Sequence, residues 1–165
     1  MTDGVLGRDD YLLNENVQGI GSYGYDWIGW KKRSSMNNTV EIQFEFDTHR
    51  YFDSILLHAS NLFSREIYLF NALLVSDCDD GNHLIKRTIP EDRINIQARF
   101  VNVSFKSDEK FIGKCLRIVL TYHPRSRWIL LSEIMIGSIP VSHTKPLFTT
   151  TSRVSSTDSF PSIGT

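Results

Sequence analysis

Few residues in this 165-residue chain could do chemistry, and the most demanding is Glu133. The pair Ser132-Glu133 interrupts the apolar run Trp128–Ile136 (WILLSEIMI), which sets a carboxylate among Leu130, Leu131, Ile134 and Met135. An ionised carboxylate is costly to bury unless a positive charge and hydrogen bonds offset the lost water. Three arrangements meet that demand: an Arg or Lys partner, an outward-facing position, or a hard cation. Such a cation takes carboxylates and backbone carbonyls as oxygen ligands. A second acidic block, Asp3-Gly4-Val5-Leu6-Gly7, opens the chain. Periodicity alone does not choose among the three.

Other chemistries find less support. Gly19-Ile20-Gly21-Ser22-Tyr23-Gly24 matches G-x-G-x-x-G. A dinucleotide site, however, needs a strand before the motif and a helix after it. Here the flanks are the polar Leu13–Gln18 and Tyr25–Trp30, which reads as loop or strand, so the segment is a glycine-rich loop. No G-x-S-x-G, H-E-x-x-H or C-x-x-C occurs, and the five histidines (49, 58, 83, 123 and 143) lack metal-ligand spacing. His58 lies in an apolar strand and reads as a hydrogen-bonded packing residue. Lys31-Lys32-Arg33 reads as a solvated loop edge rather than a polyanion contact. Cys78 and Cys115 are either one bridge, contributing roughly 4 kcal/mol by chain entropy, or two buried thiols.

Lys plus Arg is 18 and Asp plus Glu is 19, so the net charge of −1 speaks against a nucleic-acid binder. Apolar residues make up 41% and aromatics 12%, enough for a packed core. No stretch approaches the roughly 18 apolar residues of a membrane span. Met1-Thr2-Asp3-Gly4 leads into polar sequence without the pattern of a signal peptide. Yet two glycosylation triplets occur, Asn37-Asn38-Thr39 and Asn102-Val103-Ser104. A piece of a longer secreted chain reconciles these features.

The elements that must position these residues are strands. Val40–Phe46 alternates Val40, Ile42, Phe44 and Phe46 against Glu41, Gln43 and Glu45. Further β-rich runs are Phe52–His58, Glu66–Val75, Arg99–Phe105, Cys115–Tyr122 and Trp128–Ile136. In Arg99–Phe105 one face holds Val101, Val103 and Phe105, and the other holds Phe100, Asn102 and Ser104. A glycan on Asn102 has room on that second face. No run carries a capped 3.6-residue stripe, so the fold class is all-β, an antiparallel sandwich or jelly roll. The expected domain is 1–139. Residues 140–165 hold twelve Ser or Thr with prolines at 140, 146 and 161, the composition of a disordered tail or an O-glycosylated stalk.

Four blocks then occur in order: Asp3–Asp10 (DGVLGRDD), Gly24–Trp30 (GYDWIGW), Val40–Asp47 (VEIQFEFD) and Trp128–Ile136. With Ala98-Arg99-Phe100-Val101 they resemble the second, discoidin-like domain of the discoidin domain receptors, the collagen-activated receptor tyrosine kinases. The resemblance covers about residues 1–138 and is weak from Ser60 to Asn95. It implies a discoidin-type, galactose-binding-like β-sandwich whose terminal segments meet, bringing Asp3 to Glu133. It implies calcium there, held by Asp3, the Val5 carbonyl, Tyr25 and Trp27 of the loop, Ser132 and Glu133. The family's ligand set also includes positions upstream of Met1. It implies a Cys78–Cys115 disulfide, with extra residues at His123–Arg127 departing from the pattern nearby.

The implied function is regulatory. This stretch would not be an enzyme. It would pack against a collagen-binding discoidin domain on the parent chain and help control a receptor homodimer. A juxtamembrane stalk from Pro140, a membrane span and a kinase would follow, placing the domain outside the plasma membrane. The other reading is a discoidin-family adhesion or lectin module that binds glycan, lipid headgroups or matrix. A lipid-binding version needs exposed apolar spikes beside basic residues, and only Trp27 and Trp30 beside Lys31–Arg33 approach that pattern.

Overall fold

The two-residue periodicity is realised as seven strands in the computed structural model, which describes residues 2, 4, 6–7, 27–33, 38–78 and 83–141. They are β1 (Ile28–Lys31), β2 (Thr39–Ala59), β3 (Ala72–Ser76), β4 (Leu84–Thr88), β5 (Arg99–Ser104), β6 (Phe111–Thr121) and β7 (Trp128–Pro140). Every strand pairing is antiparallel. Among the described residues there is no α-helix, only a 3-10 turn at Phe63–Arg65. The chain is an all-β sandwich of the jelly-roll kind, as its pattern predicts.

Strand β2 joins the two layers. Thr39–Glu45 pairs with β6, which continues the order β2-β6-β3-β4. Arg50–Ala59 pairs with β7 on one edge, and Ser54–Ala59 pairs with β5 on the other. That completes the second layer, β1-β7-β2-β5. Between the two, the register slips so that Phe46 to His49 stand opposite Lys114 alone. Such an irregularity bends and twists a strand, and here it carries β2 from one layer into the other. The runs Val40–Phe46 and Phe52–His58 are therefore one strand, not the two that the sequence suggested.

One apolar cluster fills the space between the layers. Phe52, Ile55, Leu57, Leu131 and Ile134 enter it from one side, and Leu73, Val75, Leu116, Ile118 and Leu120 from the other. Fully burying each such side chain contributes roughly 1.5–3 kcal/mol. Phe111 ties the end of the cluster together, its ring 5.1 Å from Phe52 and 6.2 Å from Phe105.

Two further expectations need correction. Glu66–Val75 is not one strand, since only Ala72–Ser76 is paired in this way. The N–H groups of Tyr68 and Leu69 donate to the side chains of Ser126 and Asn61 instead of to a ladder. Lys31-Lys32-Arg33 is not wholly a loop, because Lys31 ends β1 opposite Trp128. The Lys31 ammonium lies 5.8 Å from the Trp128 ring, and that of Lys32 lies 5.9 Å from Tyr122. Tail residues 142–165 lie outside the described residues.

Candidate functional site

A bulge in β7 creates the site. Leu131 pairs with Ala59 and Glu133 with His58, which leaves Ser132 as the extra residue. Leu131 and Ile134 both face the core. The two polar residues between them are thus turned together to the outer face of the layer, which strict alternation would forbid. His58 sits on that same outer face, since its neighbours Leu57 and Ala59 enter the core.

The polar groups are tightly held. The Ser132 hydroxyl lies 2.5 Å from His58 Nδ1. The imidazole stacks on Trp27 at 5.4 Å and 25°, and tilts against Phe100 at 4.8 Å. From 129 positions away, the N–H of Gly4 donates to Glu133 Oε2 at 3.2 Å. Gly4 has φ of +79°, a left-handed conformation that glycine adopts freely. Gly7 then backs onto the Trp27 indole, where a Cβ would collide with the ring. Two glycines therefore make close contacts here, Gly4 with Glu133 of β7 and Gly7 with the Trp27 ring.

Glu133 is only 2% exposed. Among the described residues, no Lys, Arg or His forms an ion pair with it. An Arg or Lys partner among these residues is thereby removed, as is an outward, solvated carboxylate. The sequence expectation for His58 holds: it is buried and hydrogen-bonded.

Ser132, His58 and Glu133 together invite comparison with a hydrolytic triad. In that chemistry one imidazole nitrogen serves the nucleophile and the other is oriented by the acid, beside an open substrate site. Here the serine is on Nδ1, aromatic rings flank the imidazole, and Ser132 and His58 are both buried. The arrangement holds structure and offers no reacting atom to a substrate.

Three carboxylates elsewhere have partners within the chain. Asp92 accepts from the N–H groups of Ile94 and Asn95, from the Asn95 amide and from Arg99 at 2.6 Å. Those bonds, led by the Ile94 N–H, hold its pKa well below the carboxylate range. The Arg87 guanidinium and the Lys106 N–H bring Glu109 down to about 2. His123 stacks on Tyr68 at 4.6 Å with Nε2 3.3 Å from Glu91. Burial lowers its pKa despite that carboxylate.

The expected ligands divide by position. Trp27, Ser132 and Glu133 gather at the bulge, whereas Asp3, Val5 and Tyr25 lie outside the described residues, as does Asn37. Asn102 is exposed on β5. Cys78 and Cys115 are bonded, with Cα atoms 5.5 Å apart. Their pairing extends the β3–β6 ladder: Ser76 faces Arg117, so two steps further Cys78 meets Cys115. The spikes of a lipid-binding rim are missing at Trp30, which packs against the core, and at Trp27, which stacks on His58. Sequence reasoning missed the His58–Ser132 bond and the role of Gly4, for which no local signal exists.

Comparison with known proteins gives this geometry its setting. Residues 1–138 match the family model for the DS-like domain of discoidin domain-containing receptors 1 and 2. The chain belongs to this family. The discoidin domain-containing receptor tyrosine kinase B of Caenorhabditis elegans is 25% identical over 140 residues, covering 82% of this chain and 16% of that protein. The human epithelial discoidin domain-containing receptor 1 is 36% identical over 62 residues, covering 38% of this chain and 7% of the receptor. The chain therefore spans a small fraction of these discoidin receptors. A solved pectin-binding carbohydrate binding module shares 12% identity over 67% of this chain and 70% of its own, with a TM-score of 0.45. No helix among the described residues is long and apolar enough to cross a membrane.

Proposed function

We propose that this discoidin-like domain is an extracellular regulatory part of a collagen-activated receptor tyrosine kinase. The domain works by packing against a collagen-binding discoidin domain of the same parent and by shaping a receptor homodimer, without catalysis of its own. The family match supports this reading, as do the kinase relative and the disulfide, which suits an oxidising compartment. A Ser/Thr/Pro-rich stalk that begins after Pro140, the last residue of β7, and leads to a membrane span completes the reading.

The observation that carries the functional site is the buried Glu133 carboxylate with a neutral donor. Calcium fits it. A carboxylate and a hydroxyl are hard oxygen donors, and Gly4, which lies between Asp3 and Val5 in the sequence, donates to Glu133. Trp27 and Tyr25 belong to the loop that would add carbonyls. Bound calcium would supply the positive charge that the buried carboxylate lacks. Glu133 and Ser132 would then hold the N-terminal segment on β7. In the tautomer where His58 Nδ1 accepts the Ser132 hydroxyl proton, the Ser132 oxygen would keep its lone pairs for the ion.

Melting of the 165-residue chain in calcium and in chelator tests the reading. Extracellular modules bind calcium with Kd on the order of 10⁻⁴ to 10⁻³ M. Calcium at about 10 mM should therefore stabilise by about 1–3 kcal/mol. An identical melt in both conditions would sink the metal site. The chain alone should leave a triple-helical collagen peptide unbound, and binding would overturn the division of labour with the preceding domain.

A further inference from the structure

The outer face of β5 carries Phe100, Asn102 and Ser104 in line, while Val101 and Val103 turn to the core. Phe100 keeps 44% of its surface exposed, although its ring also touches His58. Directly across from Asn102 on β2 is Leu56, and across from Leu56 on β7 is Met135, 38% exposed. The amide of Asn102 thus stands at the edge of an apolar row on an open sheet face. Contiguous exposed apolar surface on a folded domain usually has a cover. Here the acceptor of a sugar lies within it. Asn102-Val103-Ser104 is a glycosylation triplet, and the Ser104 hydroxyl reaches the Asn102 amide oxygen at 3.5 Å.

We propose that Asn102 carries an N-linked glycan whose first N-acetylglucosamine lies on the Phe100 ring and meets Leu56. The sugar is then a packing element of the fold and not a solvated attachment. The proposal rests on the extracellular reading above. In the modification, the Asn102 amide nitrogen attacks the anomeric carbon of a polyisoprenyl-diphosphate oligosaccharide. A C–N bond forms, the C–O bond to the diphosphate breaks, and the amide gives up one proton as the diphosphate leaves. Nothing is oxidised or reduced. Residues two apart on one strand face are separated by about 6.5–7 Å, within reach of an asparagine-linked pyranose folding back. One pyranose face presents only C–H bonds, which suit the negative face of an aromatic ring. Leu56, opposite Asn102 at roughly 5 Å, meets the same sugar from the side.

The test uses the whole 165-residue chain secreted from a cell that makes oligomannose glycans, with Asn37→Gln throughout so that one site is read. Mass spectrometry should find Asn102 occupied. Trimming to a single N-acetylglucosamine should leave a melting temperature roughly 2–4 °C above that of Asn102→Gln. The increment should vanish in Phe100→Thr. Should that variant fail to fold, Phe100→Leu, which keeps apolar bulk without a ring, carries the comparison. Equal increments in all backgrounds would show a solvated sugar and overturn the proposal, and so would an unoccupied Asn102. The calcium response is measured on the same samples. Its absence beside an intact, ring-dependent increment counts against the calcium site and leaves the sugar packing standing.

Discussion

The two layers of the sandwich meet their chemical needs in opposite ways. Beside the β6-β3-β4 layer the chain supplies its own partners: Cys78 is bonded to Cys115, Arg87 of β4 pairs with Glu109, and Asp92 of the β4–β5 loop pairs with Arg99 at the start of β5. The outer face of the β7-β2-β5 layer leaves its requirements open. Glu133 is buried against a neutral N–H. The difference separates stability from function. A carboxylate with an arginine and two backbone donors is a finished structural element. A buried carboxylate without a cationic partner among the described residues is where the proposed calcium would act.

The largest expected effect breaks the closed layer. Cys78→Ser with Cys115→Ser opens a link spanning 37 positions and should cost about 4 kcal/mol by chain entropy. Denaturant melts check this, and the calcium response should survive wherever the protein still folds. A lost calcium response in folded protein would show that the two layers are not independent.

The next effect is a crossover. Glu133→Gln keeps an oxygen that can accept the Gly4 N–H but removes the charge. In chelator the variant should melt at or above the parent, because a neutral amide is cheaper to bury. In about 10 mM calcium it should fall below the parent by the same 1–3 kcal/mol that the ion contributes. A variant that melts lower in both conditions would place Glu133 with the internally compensated carboxylates. Asp92→Asn should behave in that manner, losing roughly 2 °C equally with calcium and with chelator, because its partners are all within the chain.

The smallest effect is in pH. His123 has a folded-state pKa below the free value of 6.5. As the pH falls through that value the unfolded chain takes up the proton first, so stability present above it is progressively lost. Glu109 acts in the same direction at lower pH: its contribution is present above 4.5 and drains away toward about 2. A shallow decline between pH 7 and 5 that disappears in His123→Gln, followed by a steeper one below pH 4.5, would fit this order. A pH 7 to 5 slope unchanged in His123→Gln would assign the decline to another group.

How much of this was visible beforehand depended on how local each feature is. Val40–Phe46 and Arg99–Ser104 were legible because pleating alternates side chains residue by residue, and the alternation survives in the burial of Val101 and Val103 against exposed Phe100 and Asn102. The cysteines were visible as a pair but not as a bond, since bonding depends on the β3–β6 register that sets Ser76 opposite Arg117. Glu133 announced a cost by sitting among leucines and isoleucines, with three ways to meet it. That the side chain is buried rather than solvated came only with the bulge at Ser132 and the reach of Gly4 across 129 positions.

The sequence by itself determined the β class, the outward face of Asn102 and the need for compensation at Glu133. All three follow from nearest-neighbour stereochemistry and the cost of desolvating charge. Only the tertiary structure decided that β2 runs unbroken through two layers, that Ser132 is the residue left over, and that His58 is gripped between Trp27 and Phe100. Those facts arise from pairing between distant strands, and no periodicity along one strand records which partner it will meet.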